Sequence, residues 1–151
     1  MAGLLALAGL TAKAQTSTAS TSSALSIPES SQIQPVQLQK ILQSDGAARP
    51  MVLQVGFQML YQQAHIPGAI YAGPTAQADG LARFEKTVAG LPRNKWIVIY
   101  CGCCPWSHCP NMGPAFAKLR SMGFTHVQAL HIEHNFGDDW VNQGYRVESG
   151  K

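Results

Sequence analysis

Every cysteine in this chain of 151 residues lies in one short stretch, Cys101-Gly102-Cys103-Cys104-Pro105-Trp106-Ser107-His108-Cys109. A thiol does its chemistry as the thiolate, which attacks electrophilic sulfur and binds soft metals. Four thiols on one loop point to nucleophilic, redox or metal chemistry. They do not point to a scaffold, because cysteines this close together cannot staple distant parts of a fold. Cys101 follows Ile97-Val98-Ile99-Tyr100, an apolar and β-branched run that reads as a buried strand, and a helical pattern starts near Asn111. Strand, tight loop and helix deliver a side chain to the carboxyl edge of a parallel sheet and aim backbone N–H groups at whatever binds there.

On this reading the loop that begins at Cys101 is the candidate site of chemistry. Gly102, Cys103, Cys104, Trp106, Ser107 and His108 are candidate substrate-contacting residues, with the amides from Gly102 through Ser107 as a cradle for an anion. Cys104 and Cys109 are accessory thiols, able to accept sulfur, resolve an intermediate or shape the loop. Protonated His108 could steady a thiolate or an anionic reactant, and Trp106 either walls the pocket or covers the core.

The elements that must position this loop can be read in order. Pro35 opens a short helix carrying Val36, Leu38, Ile41 and Leu42, stopped by Asp45-Gly46. Residues 51–55 form a strand closed by Gly56, residues 57–64 a short helix, and residues 65–70 a second strand entered through the Pro67-Gly68 turn. Asp79 can cap a helix with Leu81, Phe84, Val88 and Leu91 on one side, ended by Pro92. Asn111 can cap the helix after the loop, where Met112, Ala115, Phe116, Leu119 and Met122 face inward as far as Gly123. Residues 126–132 read as a strand, residues 137–143 as a short helix with Trp140, and Tyr145-Arg146-Val147 closes the unit. Strands alternating with helices predict an α/β fold: a doubly wound parallel sheet flanked by helices.

The length allows one domain, assigned to residues 33–148. Residues 15–32 are rich in Ser and Thr and read as a flexible tether. Residues 1–14 read as a signal peptide: a short apolar run ended by Ala12-Lys13-Ala14. The basic segment that normally precedes such a run is missing, so the leader reads as N-terminally incomplete. The expectation is an exported, periplasmic protein with no membrane span in its mature chain, since the run is too short to cross a bilayer. The formal charge of +3 comes from scattered residues without a basic run, so no nucleic-acid partner is expected.

Several segments together resemble the rhodanese-like sulfurtransferase family. They are, in the family's order, the strand at 51–55, His65-Ile66-Pro67-Gly68-Ala69, a strand ending in Tyr100-Cys101, a helix ending in Gly123-Phe124, and Asn135-Phe136-Gly137 before Trp140. The resemblance implies a rhodanese fold and makes Cys101 the residue that takes sulfur from a small anionic donor such as thiosulfate. Cys101 would carry that sulfur as a persulfide and yield it to a thiol or cyanide-like acceptor, in a periplasmic redox or sulfur relay. It implies no organic cofactor and no metal, and it makes His65 a residue that holds a turn. The chain departs from the pattern in two places. Gln54 and Gly56 stand where the family usually has Asp and Arg, and the interval from Cys101 to Gly123 is longer, the added length being cysteine-rich.

Other readings compete. Cys101-Gly102-Cys103-Cys104 is a Cys-x-x-Cys between strand and helix, as in thiol-disulfide oxidoreductases. The thiols could instead bind Cu(I) or Zn, although the paired Cys-x-x-Cys knuckles of zinc sites are missing. A cysteine phosphatase would need Arg six positions after Cys101, where Ser107 stands. His131, Glu133 and His134 invite a metal reading, but ordinary strand and loop positions explain them better.

Overall fold

The computed structural model describes residues 27–44 and 48–150. Five parallel strands form one sheet: β1 (Gln32–Ile33), β2 (Met51–Gln54), β3 (Ile70–Tyr71), β4 (Ile97–Tyr100) and β5 (Val127–Leu130), ordered β1-β5-β4-β2-β3. The helices are α1 (Pro35–Gln43), α2 (Gln58–Gln63), α3 (Ala78–Val88) and α4 (Met112–Ser121), with a short turn of helix at Gly137–Val141. β4 is the central strand, paired with β2 on one edge and β5 on the other, and all four of its residues are buried.

The pleat divides β4 between two cores. Ile97 and Ile99 face Phe84 and Val88 of α3 and Ala115 and Leu119 of α4. Val98 and Tyr100 face Leu38 of α1, Tyr61 of α2 and Trp140. Cys101 continues the alternation onto the α3/α4 side, where it joins that core. Helices on both faces of a parallel sheet are the predicted architecture.

Local outcomes differ in instructive ways. Gln77, not Asp79, is the N-cap of α3, which puts Asp79 in the first turn where its charge complements the helix dipole. The segment at 65–69 is not a strand. His65 pairs in a single antiparallel bridge with Glu148, and β3 is confined to Ile70–Tyr71. Side chains hold that segment instead. His65 Nδ1 meets the Tyr61 carbonyl at 2.7 Å, Tyr61 donates its hydroxyl to the Ala69 carbonyl at 2.8 Å, and the Ile66 amide donates to the Tyr100 hydroxyl at 3.2 Å. Ile27 is only 3% exposed and Gln32 lies in β1, so the packed unit begins earlier than residue 33. The leader at 1–14 and the Asp45-Gly46 stop fall outside the described residues. Among the described residues no helix is long and apolar enough to cross a membrane.

The bond from Ile66 to Tyr100 ties the 65–69 segment to the strand that carries Cys101. Tyr100→Phe keeps the ring and leaves a buried N–H unpaired, which costs about 1–3 kcal/mol. Urea unfolding is expected to show a lower midpoint at unchanged slope.

Candidate functional site

Three features turn the chain after β4. Gly102 adopts φ +74°, and a Cβ there would lie 2.7 Å from Cβ of Phe136, so glycine is required for both reasons. The Gly102 carbonyl accepts the Phe136 amide at 3.1 Å. Further on, residues Trp106–His108 make one tight helical turn. Trp106 is buried, its ring is stacked on His131 at 4.6 Å between centroids, and its amide donates to the Glu133 carbonyl at 3.2 Å. The turn anchored in this way swings the chain back, so that Cys109 arrives beside Cys101 just before α4 begins.

All four Sγ atoms consequently lie within 4.8 Å of one another. Cys101 Sγ is 3.0 Å from Cys103 Sγ, and Cys103 Sγ is 3.1 Å from Cys104 Sγ. All four are free thiols, with Cys101 and Cys109 buried and the other two half-buried.

Two carboxamides brace the cluster. Asn111 occupies the N-cap position of α4, but its side chain makes no capping bond. Its Oδ1 accepts the Ala76 amide at 2.9 Å, which leaves Nδ2 to face the sulfurs, 3.3 Å from Cys101 Sγ and 4.0 Å from Cys103 Sγ. The Thr75 hydroxyl fixes the Asn111 backbone carbonyl at 2.6 Å. Gln54, the buried last residue of β2, donates Nε2 to the Cys101 carbonyl at 3.2 Å, while its Oε1 is buried without a partner. Gly56 gives the space: a Cβ there would lie 2.9 Å from Gln54 Nε2 and 3.0 Å from Cys101 Sγ. Where the resemblance led one to expect Asp and Arg, this chain therefore has an amide and a gap.

Charge within the cluster settles on Cys109. Hydrogen bonds from Cys101 and then Cys103 lower its thiol to about 3 against the effect of burial, assisted by the Asn111 and Met112 amides at the start of α4. Cys104 is lowered as well, chiefly by its bond with Cys101. Cys103 is pulled down by Cys101, but its bond to Cys109 together with burial outweighs this and raises it to about 12. Cys101 is held far above an ordinary thiol by its bonds to Cys103, Cys104 and Cys109 and by burial. Cys109 is thus the sulfur most readily held as thiolate, and Cys101, which donates a hydrogen bond to it, the one that keeps its proton most firmly.

Two spaces adjoin the sulfurs. In front is a cleft of about 280 Å³ lined by Cys101, Gly102 and Cys103 together with Gln54, Leu60 and Phe136, and among the described residues no charged side chain lines it. Behind is a void of about 10 Å³ bounded by Cys101, Cys104 and Cys109 and walled by Trp106, Met112, Leu130 and Ile132. Of the residues expected to contact substrate, Gly102 and Cys103 border the cleft, while Cys104 and Trp106 border the rear void. Ser107 and His108 border neither. They are exposed and bonded to each other at 2.8 Å, because the turn that buries Trp106 carries its two successors outward. The expected amide cradle from Gly102 through Ser107 is interrupted at Trp106, whose N–H is committed to Glu133. His131 and His134 do not converge: His131 bonds Gln32 and Glu133, and His134 bonds Asp139.

Gln54, Gly56 and Asn111 were not among the expected site residues. A polar residue ending the otherwise apolar run of β2 was the available signal for Gln54, and Asn111 read only as a helix cap.

Comparison with known proteins agrees with this geometry. The family model for the rhodanese-like domain matches residues 34–131. No curated protein matches the chain. Among solved structures it is similar to the BH2092 protein from Bacillus halodurans, with 24% identity and a TM-score of 0.60 over 78% of this chain and 76% of that one. It is also similar to the Alr3790 protein from Anabaena sp., with 21% identity and a TM-score of 0.60 over 78% of this chain and 82% of that one. A thiosulfate sulfurtransferase from Pseudomonas aeruginosa matches at 22% identity and a TM-score of 0.54, over 79% of this chain and 19% of that one. Identities this low speak to the fold.

A depressed thiol is ionised where a free one, with a pKa of about 8.5, is still protonated. Thiolate ultraviolet absorbance of the reduced protein is therefore expected to persist from pH 8 down to pH 4 and to fall only as pH approaches 3. Cys109→Ser is expected to lose that acid-range signal.

Proposed function

The chain belongs to the rhodanese-like domain family, and from that membership we propose that it is a sulfurtransferase working through a persulfide on Cys101. The observation that carries the reading is the position of Cys101: directly past the carboxyl end of the central strand, among the residues that line the cleft, with the Asn111 side-chain N–H 3.3 Å from its Sγ. As a donor engages, Cys101 gives up its proton to solvent, and its sulfur attacks the donor's outer sulfur. With thiosulfate, the new S–S bond forms as the donor's S–S bond breaks, and sulfite leaves with the bonding pair. An acceptor thiolate or cyanide then takes the outer sulfur and returns Cys101 as thiolate. Hydrogen bonds to a charged sulfur are worth about 1.5–3 kcal/mol, which gives the Asn111 N–H a direct part in holding both thiolate and persulfide.

The cleft has no cationic side chain, so the charge of a dianionic donor must rest on amides, and a less charged polysulfide fits at least as well. The leader read in residues 1–14 makes the periplasm the proposed place of work. Thiol-disulfide exchange is a second reading, favoured by the short distance between Cys101 and Cys103 sulfurs.

Intact-mass analysis after exposure to thiosulfate or polysulfide separates the two. Sulfur transfer adds one sulfur atom to the wild type and to Cys103→Ser, Cys104→Ser and Cys109→Ser at differing rates, but not to Cys101→Ser. Disulfide exchange instead removes two hydrogens. An adduct that survives Cys101→Ser unchanged would sink the assignment. Asn111→Ala is expected to slow loading by about tenfold or more, in line with the loss of one charged hydrogen bond.

A further inference from the structure

Persulfide chemistry needs one thiol as nucleophile, yet four converge. Among the described residues they are also the one cluster of His, Cys, Asp and Glu side chains close enough to share a metal ion. We propose that the four cysteines form a binding site for a thiophilic d10 cation, Zn(II) or Cu(I), and that the occupied site cannot load sulfur.

The donor geometry comes first. A tetrahedral four-thiolate site with metal–sulfur bonds of about 2.3 Å has sulfur–sulfur edges of about 3.8 Å. The four Sγ atoms, with Cys101 and Cys103 3.0 Å apart and all four within 4.8 Å, bracket that edge. Small side-chain rotations suffice to reach it. The rear void is a separate observation. Its volume of about 10 Å³ is roughly that of one water-sized sphere, and three cysteines line it beside Gly102 and the mostly apolar Trp106, Met112, Leu130 and Ile132. A water molecule needs two to four polar partners and would find few here, whereas a soft cation finds its preferred ligands. Hard cations are excluded by the donor set, which contains no carboxylate.

The surroundings suit the charge that such a complex would carry. A divalent ion on four thiolates has a net charge of −2, and N–H groups already point at the sulfurs: Asn111 Nδ2 at Cys101 and Cys103, and the backbone amides of Asn111 and Met112 at Cys109. N–H groups of this kind tune a metal site from outside its ligands. The sequence offered this reading without its usual signature, because zinc motifs are recognised by two Cys-x-x-Cys arms. Here Cys101, Cys103 and Cys104 form one arm, and the turn at Trp106–His108 brings back Cys109 as a one-residue second arm.

Binding needs thiolates, so each thiol still protonated releases its proton to solvent as the metal arrives; no oxidant or reductant is involved. The Cys101 lone pair that would attack a donor is then held by the metal. Metal and persulfide compete for one sulfur atom, and the bound ion becomes an off-switch for sulfur loading.

The test uses the full chain, reduced and kept free of oxygen, titrated with Co(II) as a coloured stand-in and then with Zn(II) or Cu(I). One ion per chain is expected, with the intense ligand-field spectrum of tetrahedral thiolate-bound Co(II), bleached by Zn(II). Cys104→Ser and Cys109→Ser should each weaken binding at least tenfold, and Asn111→Ala by roughly tenfold, as outer-shell partners do. Cys109→His, which retains a ligand, should restore Zn(II) binding. Should Cys109→Ser fail to fold, the half-exposed Cys103→Ser serves in its place. Zinc-loaded protein should take up no sulfur from polysulfide until a chelator removes the ion. A chain that retains no stoichiometric metal, or affinity untouched by these substitutions, overturns the site. Loss of metal binding with sulfur loading intact would sink this proposal and leave the sulfurtransferase reading standing. Tight metal binding with no sulfur uptake after chelation would do the reverse.

Discussion

Ile97-Val98-Ile99-Tyr100 is paired on both edges and packed on both faces, and the rest of the molecule follows from that burial. A strand in this position can bury only apolar side chains, so chemistry must begin where its pairing ends. The first residue past the end is Cys101. The pleat places its sulfur on the α3/α4 side, facing the start of the helix to which the loop leads. At the same point Tyr100, on the opposite face, uses its hydroxyl to hold the 65–69 segment. One short strand thus fixes both the Cys101 sulfur and a turn that the family resemblance singled out.

The loop beyond it balances sulfur against amide. Four thiols packed into a mostly apolar corner cannot all be charged and are costly to leave without partners. The cluster answers by sharing protons among its sulfurs, with the negative charge at Cys109 where helix amides meet it. Gln54 and Asn111 contribute neutral N–H donors at the backbone and at the sulfur of Cys101 respectively. Neither brings a compensating charge, and the cleft in front has none either. A site built this way holds an anion by dipoles alone, which is consistent with sulfur carried as persulfide and with a soft metal held by thiolates.

Much of this could be read from the order of residues. β-Branching marked β4, helical spacing marked the buried faces of α3 and α4, and the alternation of elements implied a parallel sheet with helices on both faces. Those signals are local, and each rests on the period of a single element. Boundaries were less legible. Asp79 is the residue whose chemistry suits an N-cap, yet α3 starts after Gln77, whose side chain makes no capping bond. Ile27 lies in a stretch whose Ser/Thr composition looks like a tether, yet the Ile27 side chain is buried in the core.

The sequence by itself determined the fold class, the family and the residue at the end of the central strand, because periodicity, turn chemistry and motif order are all written along the chain. Tertiary structure alone decided how the loop is used. Whether Ser107 and His108 face a substrate depends on Trp106 finding His131, a partner distant in sequence. Whether Asn111 caps its helix or points at sulfur depends on the Ala76 amide arriving from another loop. Whether the four cysteines are neighbours along the chain or neighbours in space depends on the turn that returns Cys109 to Cys101. Each is a contact between separate segments, and only the packed chain brings those segments together.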